Sequence, residues 1–330
     1  MSTTITQIPP AVRAFYDRVL LERATPYLAH NLFGQKRPVP QKKGDQPRFR
    51  KYSALTTATA PLVEGVTPTA QQLSKTDVDG QLVQYGTYVE ITDYVQFTNQ
   101  DPTLTEAAEV LGENAGETLD IIYRDVLNGG TSVQYAGSVA ARGNIVTKIA
   151  AADLDIAIRA LKAANAKYWM ENPIPGNTAV GTTPIAGSYF AITDSYVERD
   201  LNAITGYVPV HKYPNPSIAL PGEVGSYRNI RFVESSNSKV RADLGGTAVT
   251  NILKYTTGTS NCDIHTILIF GKNAYGVTDL QGRGLEIINK PLGSGDDPLN
   301  QRSTSGWKAC TDCLILNESL MYRIECGVSR

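Results

Sequence analysis

The chain is poor in the residues that usually announce chemistry or compartment: 330 residues hold only four Cys and three His. Four thiols make no disulfide framework, so synthesis in a reducing cytoplasm is expected. Charge of either sign is not in excess, with 31 basic against 32 acidic side chains and a net charge of −1. That balance excludes a histone-like or nucleocapsid role, because condensing a polyanion by counterion release takes a large cationic surplus. Long apolar runs are missing as well. Stretches such as Ile267–Phe270 fall far short of the roughly 20 residues a bilayer demands, so no membrane partner is expected. The first residues, MSTTITQIPP, have neither a charged n-region nor an apolar h-region, so no secretory leader is expected. What the chain has instead is 28 Gly and 18 Pro with only 19 % charged residues. Many short strands and long connections follow from that composition.

Apolar Val12, Phe15 and Val19 recur at helical spacing after Pro9-Pro10, predicting a helix over Pro10–Leu28. Pro38 and Pro40 then forbid a helix, leaving an extended arm. From Gly34 to Lys51 the arm carries Lys36, Arg37, Lys42, Lys43, Arg48, Arg50 and Lys51 against the single acid Asp45. Residues 48–93 read as a long two-stranded excursion. Val83, Tyr85, Thr87, Val89 and Ile91 alternate as in a strand, and the Thr/Ala-rich limb Ala54–Val63 is expected opposite. Its tip is Glu64, Gly65, Val66, Thr67 and Pro68. Two isolated strands are marginal in water, so the excursion must lie on its own body or on a neighbour.

The strongest predicted helix spans Asp101–Asn128. Asp101-Pro102 offers a cap and a first-turn proline, Thr103 to Glu106 a capping box, and Gly129-Gly130 a stop. Leu104, Ala107, Ala108, Leu111, Ala115, Leu119, Ile122 and Val126 make one apolar face. At 1.5 Å per residue this is a spine roughly 40 Å long. Its opposite ridge carries Glu106, Glu109, Glu113, Glu117 and Asp120. The ridge mirrors the cationic arm, so the two are expected to pair, within one chain or between adjacent copies. The other reading is a solvated face.

The middle of the chain alternates helices and strands. Asp153–Lys167 reads as a helix, Tyr189–Thr193, Ile230–Glu234 and Thr266–Phe270 as strands, and Ser195 as the start of a capped helix. A strand is expected at Met321–Glu325. Mixed periods of 2 and 3.6 give an α+β class. Nucleophile-elbow, zinc-protease and phosphate-loop patterns are absent. His30, His211 and His265 are scattered. One candidate metal set exists, Cys262-x-x-His265 with Cys310-x-x-Cys313, since three sulfurs and an imidazole suit tetrahedral zinc. Small buried hydrophobes are the default reading of these cysteines. No catalytic residue, cofactor or metal is assigned, and the chain is not expected to be an enzyme.

The words LLERATPYLAHNLFGQKRPVP (Leu20–Pro40), PLVEGVTPTAQQLS (Pro61–Ser74), YGTYVEITD (Tyr85–Asp93) and DPTLTEAAEVLGENAGETLD (Asp101–Asp120) follow one another in order. VLNGGTSVQYAG (Val126–Gly137), ALKAANAK (Ala160–Lys167), GEVGSYRNIRFVE (Gly222–Glu234), FGKNAYGV (Phe270–Val277) and DPLNQRSTSGWK (Asp297–Lys308) continue the series. Together they resemble the HK97-type major capsid protein of tailed double-stranded DNA bacteriophages, in the branch found among short-tailed phages. The resemblance implies an HK97-like α+β fold with an N-arm at 1–47 and an E-loop β-hairpin at 48–93. A P-domain with the spine helix at 94–144, an axial A-domain at 145–290 and returning P-domain strands at 291–330 complete it. It further implies a virion shell subunit that self-assembles into hexamers and pentamers around packaged dsDNA, without sequence specificity. A portal, a separate scaffolding protein and a decoration or cement protein are the implied partners. No acid-activated Lys/Asn pair is identified, so a non-covalent shell is expected. An encapsulin-like nanocompartment shell is the nearest alternative, and a zinc-binding enzyme the more distant one.

Overall fold

The structure is a computed structural model and describes residues 28–98, 103–169, 187–213, 219–247, 252, 261–282, 284–293 and 298–330. The helix expected over Pro10–Leu28 falls almost entirely outside them, as do Asp101 and Pro102. In chain order the strands are β1 (Gln35–Lys36), β2 (Arg48–Tyr52), β3 (Lys75–Asp79) and β4 (Val83–Thr92). After α1 (Asp93–Thr98) and α2 (Thr103–Leu127) come β5 (Val133–Tyr135), α3 (Ala151–Ala163), β6 (Tyr189–Asp194) and α4 (Glu198–Asn202). The rest is β7 (Tyr207–Pro209), β8 (Glu223–Tyr227), β9 (Ile230–Ser235), β10 (His265–Phe270), β11 (Tyr275–Asp279), β12 (Leu285–Lys290), β13 (Arg302–Ile315) and β14 (Met321–Cys326).

Two sheets organise these elements. Seven strands run in the order β5-β14-β10-β6-β9-β8-β7, and every residue of β6 and β10 is buried. Strands covered on both faces read as continuous apolar runs, and HTILIF does. One face packs Leu154, Ile158 and Leu161 of α3 and Leu201 of α4 against Phe232, Ile267 and Ile324. The other packs Tyr123 and Leu127 of α2, with Phe33 of the arm, against Phe190, Leu268 and Phe270. Asp153 caps the start of α3 by accepting from the Ala150 N–H at 3.2 Å. The helix expected from Ser195 is a 3-10 turn, Ser195–Val197, leading into α4, and no side-chain cap starts it.

The second sheet has β13 at its centre, with β11 and β12 along one side, β4 along the other, and β1 beyond β11. Trp307 and Ala309 of β13 meet Leu111 and Ala115 of α2, and the Trp307 indole donates to Asn114 Oδ1 at 3.1 Å. Leu104 lies outside the described side chains. Here the structure corrects the expected excursion. β4 does not pair with Ala54–Val63; it pairs antiparallel with β13 from Arg302↔Thr92 to Thr311↔Val83. The alternation of β4 places Tyr85 against the Trp307 cluster, whereas the Thr/Ala limb has nothing comparable to bury. The hairpin is instead β2 with β3, Arg48↔Asp79 to Tyr52↔Lys75.

The sheets also divide the chain differently from its linear order. β11 and β12, inside residues 145–290, join the sheet that carries the spine helix, while β14, inside 291–330, lies in the seven-stranded sheet.

Candidate subunit interface

Residues 28–47 lie on the body. The His30 ring and backbone N–H both bind the Asp120 carboxylate at 2.9 Å, with both residues about 1 % exposed. Tyr275 donates to the His30 carbonyl at 2.7 Å, and Phe33 stacks on Phe190 with ring centres 4.6 Å apart. Next, β1 adds parallel to β11, and Val39 bridges Leu280. Asp120 is therefore not part of an outer ridge. It is the buried partner that ties the arm to the spine.

Of the remaining ridge acids, Glu109 and Glu113 are exposed and Glu106 and Glu117 half-buried. Among the described residues, no ion pair joins Lys36, Arg37, Lys42, Lys43, Arg48, Arg50 or Lys51 to them. Arg48 binds Asp79 at 2.5 Å and Arg50 binds Asp77 at 3.0 Å, across the hairpin. The Asp79 hydrogen bond and charge raise the Arg48 pKa, and the Arg50 hydrogen bond leads the lowering of Asp77. Lys36, Arg37, Lys42, Lys43 and Lys51 make no ion pair among the described residues. Arg37, Lys43, Arg48, Arg50 and Lys51 line one groove of about 670 Å³ beside Phe49, and no acid lines it.

Beyond the hairpin, residues 53–74 form no strand, and every side chain there is exposed. Leu62 is 78 % exposed, Val66 63 % and Leu73 71 %. At the tip, Gly65 takes φ +76° and the Val66 N–H closes a turn on the Val63 carbonyl at 3.1 Å. Positive φ suits glycine, so the tip can reverse there without strain. Exposed large apolar groups normally mark a contact surface when they gather in one segment. Sequence reasoning missed further exposed apolar groups on the second sheet: Leu285 and Ile287 of β12 on one face, and Ile288 of β12 with Tyr88 of β4 on the other. The GLEIINK stretch carries that signal as an apolar run on an unprotected edge.

The candidate zinc set does not assemble. Cys310 and Cys313 lie on β13 in one sheet and His265 begins β10 in the other, and no group of three or more possible ligands occurs among the described residues. All four cysteines are buried, and burial pushes the Cys313 thiol up to about 12. A thiol held protonated is neither ligand nor nucleophile. His265 is fully buried with its Nδ1 on the Asp194 carboxylate, and His211 is exposed on a 3-10 turn.

Three comparisons bear on this arrangement. The sequence profile of the family described as "Phage capsid protein" matches residues 75–285. No curated protein matches the chain by sequence. Among solved structures, the capsid of Ralstonia phage GP4 aligns with TM-score 0.69 and 13 % identity, over 100 % of this chain and 99 % of that one. The capsid of cyanophage Pam1 aligns with TM-score 0.64 and 16 % identity, over 99 % and 98 %. The capsid of cyanophage P-SCSP1u gives 0.63 and 13 %, over 100 % and 96 %. At these identities the structural likenesses establish the fold, while the profile establishes descent. The profile match over residues 75–285, on a fold shared with solved phage capsids, leads to one conclusion: the chain belongs to the phage capsid protein family, as a structural subunit of the virion shell.

Proposed function

We propose that many copies of this subunit interlock through their arms and excursions into pentamers and hexamers of an icosahedral head, non-covalently, around packaged dsDNA. In this reading residues 1–47 are the N-arm, 48–93 the E-loop, 94–144 the spine part of the P-domain, 145–290 the A-domain and 291–330 the returning strands. The order of sequence words supports a place in the short-tailed phage branch, with a portal, a separate scaffolding protein and an optional cement protein as partners. One observation carries the reading: residues 53–74 expose every side chain, so none of the described residues buries them. A segment without a core gains order only on a partner, and assembly then drives its folding.

The same reading gives a use to the arm cations that make no ion pair among the described residues. Lys36, Arg37, Lys42, Lys43 and Lys51 of one copy face the ridge Glu106, Glu109, Glu113 and Glu117 of the next. Deleting Glu64–Thr69 leaves a soluble, folded subunit that closes no shells under electron microscopy; normal particles from that deletion contradict the reading. Reversing Glu109 and Glu113 to Lys lowers assembly most at low salt, where surface charges are least screened. Salt-independent, wild-type assembly of that variant removes the arm–ridge contact.

A further inference from the structure

β12 ends the second sheet. β13 pairs with one of its edges, from Leu285↔Ala309 to Lys290↔Thr304, and no described strand lies along the other. All six of its side chains, LEIINK, are exposed. An open edge presents a row of backbone donors and acceptors ready to pair with another strand, and proteins usually blunt it with a proline, a bulge or a cover. β12 keeps an unbroken register, and its proline, Pro291, comes only after its end. On the face opposite the Trp307 cluster, Glu286 stands across from Lys308, Ile288 from Gly306 and Lys290 from Thr304. Gly306 has no side chain, so Ile288 faces none on β13. Neither Glu286 nor Lys290 makes an ion pair among the described residues.

We propose that the open β12 edges of two copies pair antiparallel about a two-fold axis, with Ile288 opposite Ile288 of the second copy. The strand is complementary to itself in that arrangement. A two-fold axis normal to the sheet joins like faces, so even-numbered residues meet even-numbered ones. Of the registers this allows, only the one centred on Ile288 sets Glu286 of each copy opposite Lys290 of the other. Two ion pairs then flank an Ile–Ile contact, and on the other face the two Ile287 side chains lie diagonal to each other. Six residues span only about 20 Å, too small a contact to hold free subunits together, so it acts once other contacts have gathered the copies. An isologous contact uses the same patch on both partners and cannot run around a pentamer or hexamer; it joins one ring to the next. This inference rests on the reading of the chain as a subunit of such rings, and it names a strand at which two rings meet.

The test places a thiol on the full-length chain, and the four native cysteines, all buried, do not compete with it. Facing residues of an antiparallel pair lie about 4.5–5.5 Å apart between Cα atoms, within the span of a disulfide. Closed shells carrying Ile288→Cys, after mild oxidation, run on a non-reducing gel mostly as covalent dimers. Lys290→Cys sets the two thiols four positions apart along the strand, roughly 13 Å, and gives about tenfold less dimer. Ile288→Cys shells without dimers, or Lys290→Cys shells with as many, overturn the proposal. If Ile288→Cys closes no shells, charge decides. Glu286→Lys and Lys290→Glu each set like charges opposite one another and lower shell yield at low salt about tenfold. Co-expressing these two variants restores opposite charges and recovers the yield to within about threefold. An effect confined to one chain, such as Glu286 beside its own Lys308, is not cured by mixing, so single variants that assemble normally, or a mixture that does not recover, overturn the proposal too. The Glu64–Thr69 deletion separates the two ideas. If it blocks closure while Ile288→Cys shells show no dimer, only the strand contact falls; if it closes shells normally, the interlocking through the excursion falls and a dimer from Ile288→Cys still stands.

Discussion

The seven-stranded sheet and the excursion are built from similar residues and meet opposite fates. β10 reads HTILIF and buries all six side chains, while residues 53–74 include Leu55, Leu62, Val63, Val66 and Leu73 and bury none. The difference lies in what surrounds them. β10 has a strand on either side and a cluster on each face; the excursion has two short strands held by Arg48–Asp79 and Arg50–Asp77. Exposed ion pairs contribute little, and less in salt. They fix the register of the hairpin without supplying a core. One part of the subunit therefore has a core of its own, and the other leaves its apolar groups in water.

The sharpest way to break this comparison is to remove the same kind of atoms from both parts. Phe232 is fully buried in the cluster between the seven-stranded sheet and α3. Phe232→Ala is expected to cost roughly 3–5 kcal/mol through lost transfer energy and the cavity left behind. Urea unfolding of the soluble subunit measures it. A loss under 1 kcal/mol means that the sheet is no better packed than the excursion.

A smaller effect separates the regions by pH. Burial, with help from the Asp312 charge, pushes the Cys313 thiol to about 12 from 9.0, and burial leads the rise of the Tyr123 hydroxyl to about 12. A folded-state pKa above the unfolded one means that the folded state keeps its proton longer. Its stability contribution is whole below pH 9 and declines as the unfolded thiol ionises, up to the folded value. By pH 10 the loss is on the order of 1 kcal/mol per buried thiol. Stability curves at several pH values between 8 and 11 show the decline. Cys313→Ala lowers stability below pH 9 and flattens that alkaline limb, so its difference from the wild type shrinks as pH rises. The excursion has no buried titratable group and adds nothing to it.

Legibility in the sequence follows the same divide. Elements with a strong period were readable: the spine, expected over Asp101–Asn128, is described as Thr103–Leu127, and Ile230–Glu234 and Thr266–Phe270 each differ from the observed strand by one residue. Pairing was not readable. β4 carries a clear alternation, yet the alternation does not say which strand it meets, and the partner lies more than 200 residues away. Asp120 shows a different limit. Spacing placed it on the acidic ridge, but a carboxylate beside a buried imidazole can occupy the margin of an apolar face, and nothing in the local sequence announces His30. Charges inside the body were equally hidden. Glu325 is fully buried beneath Arg142, bound through two hydrogen bonds at 2.6 and 2.9 Å, with Arg323 at 3.1 Å. Of the candidate interface, the arm cations and the tip could be picked from composition.

The smallest effect on the subunit is the most informative about the shell. Leu62→Ser with Val66→Ser removes apolar area that is already in water, so the free subunit changes by less than about 0.5 kcal/mol. Seated in a sister copy, each of those side chains contributes roughly 1.5–3 kcal/mol of burial. Contacts repeated around a ring add, so a change invisible in urea unfolding of the subunit abolishes shell closure. The two measurements must diverge for the comparison to hold. If stability and assembly fall together, the tip is supported by its own chain, and the contrast between core and excursion disappears. If neither falls, these side chains are not the ones held back for a neighbour, and the exposed β12 edge becomes the surface to alter next.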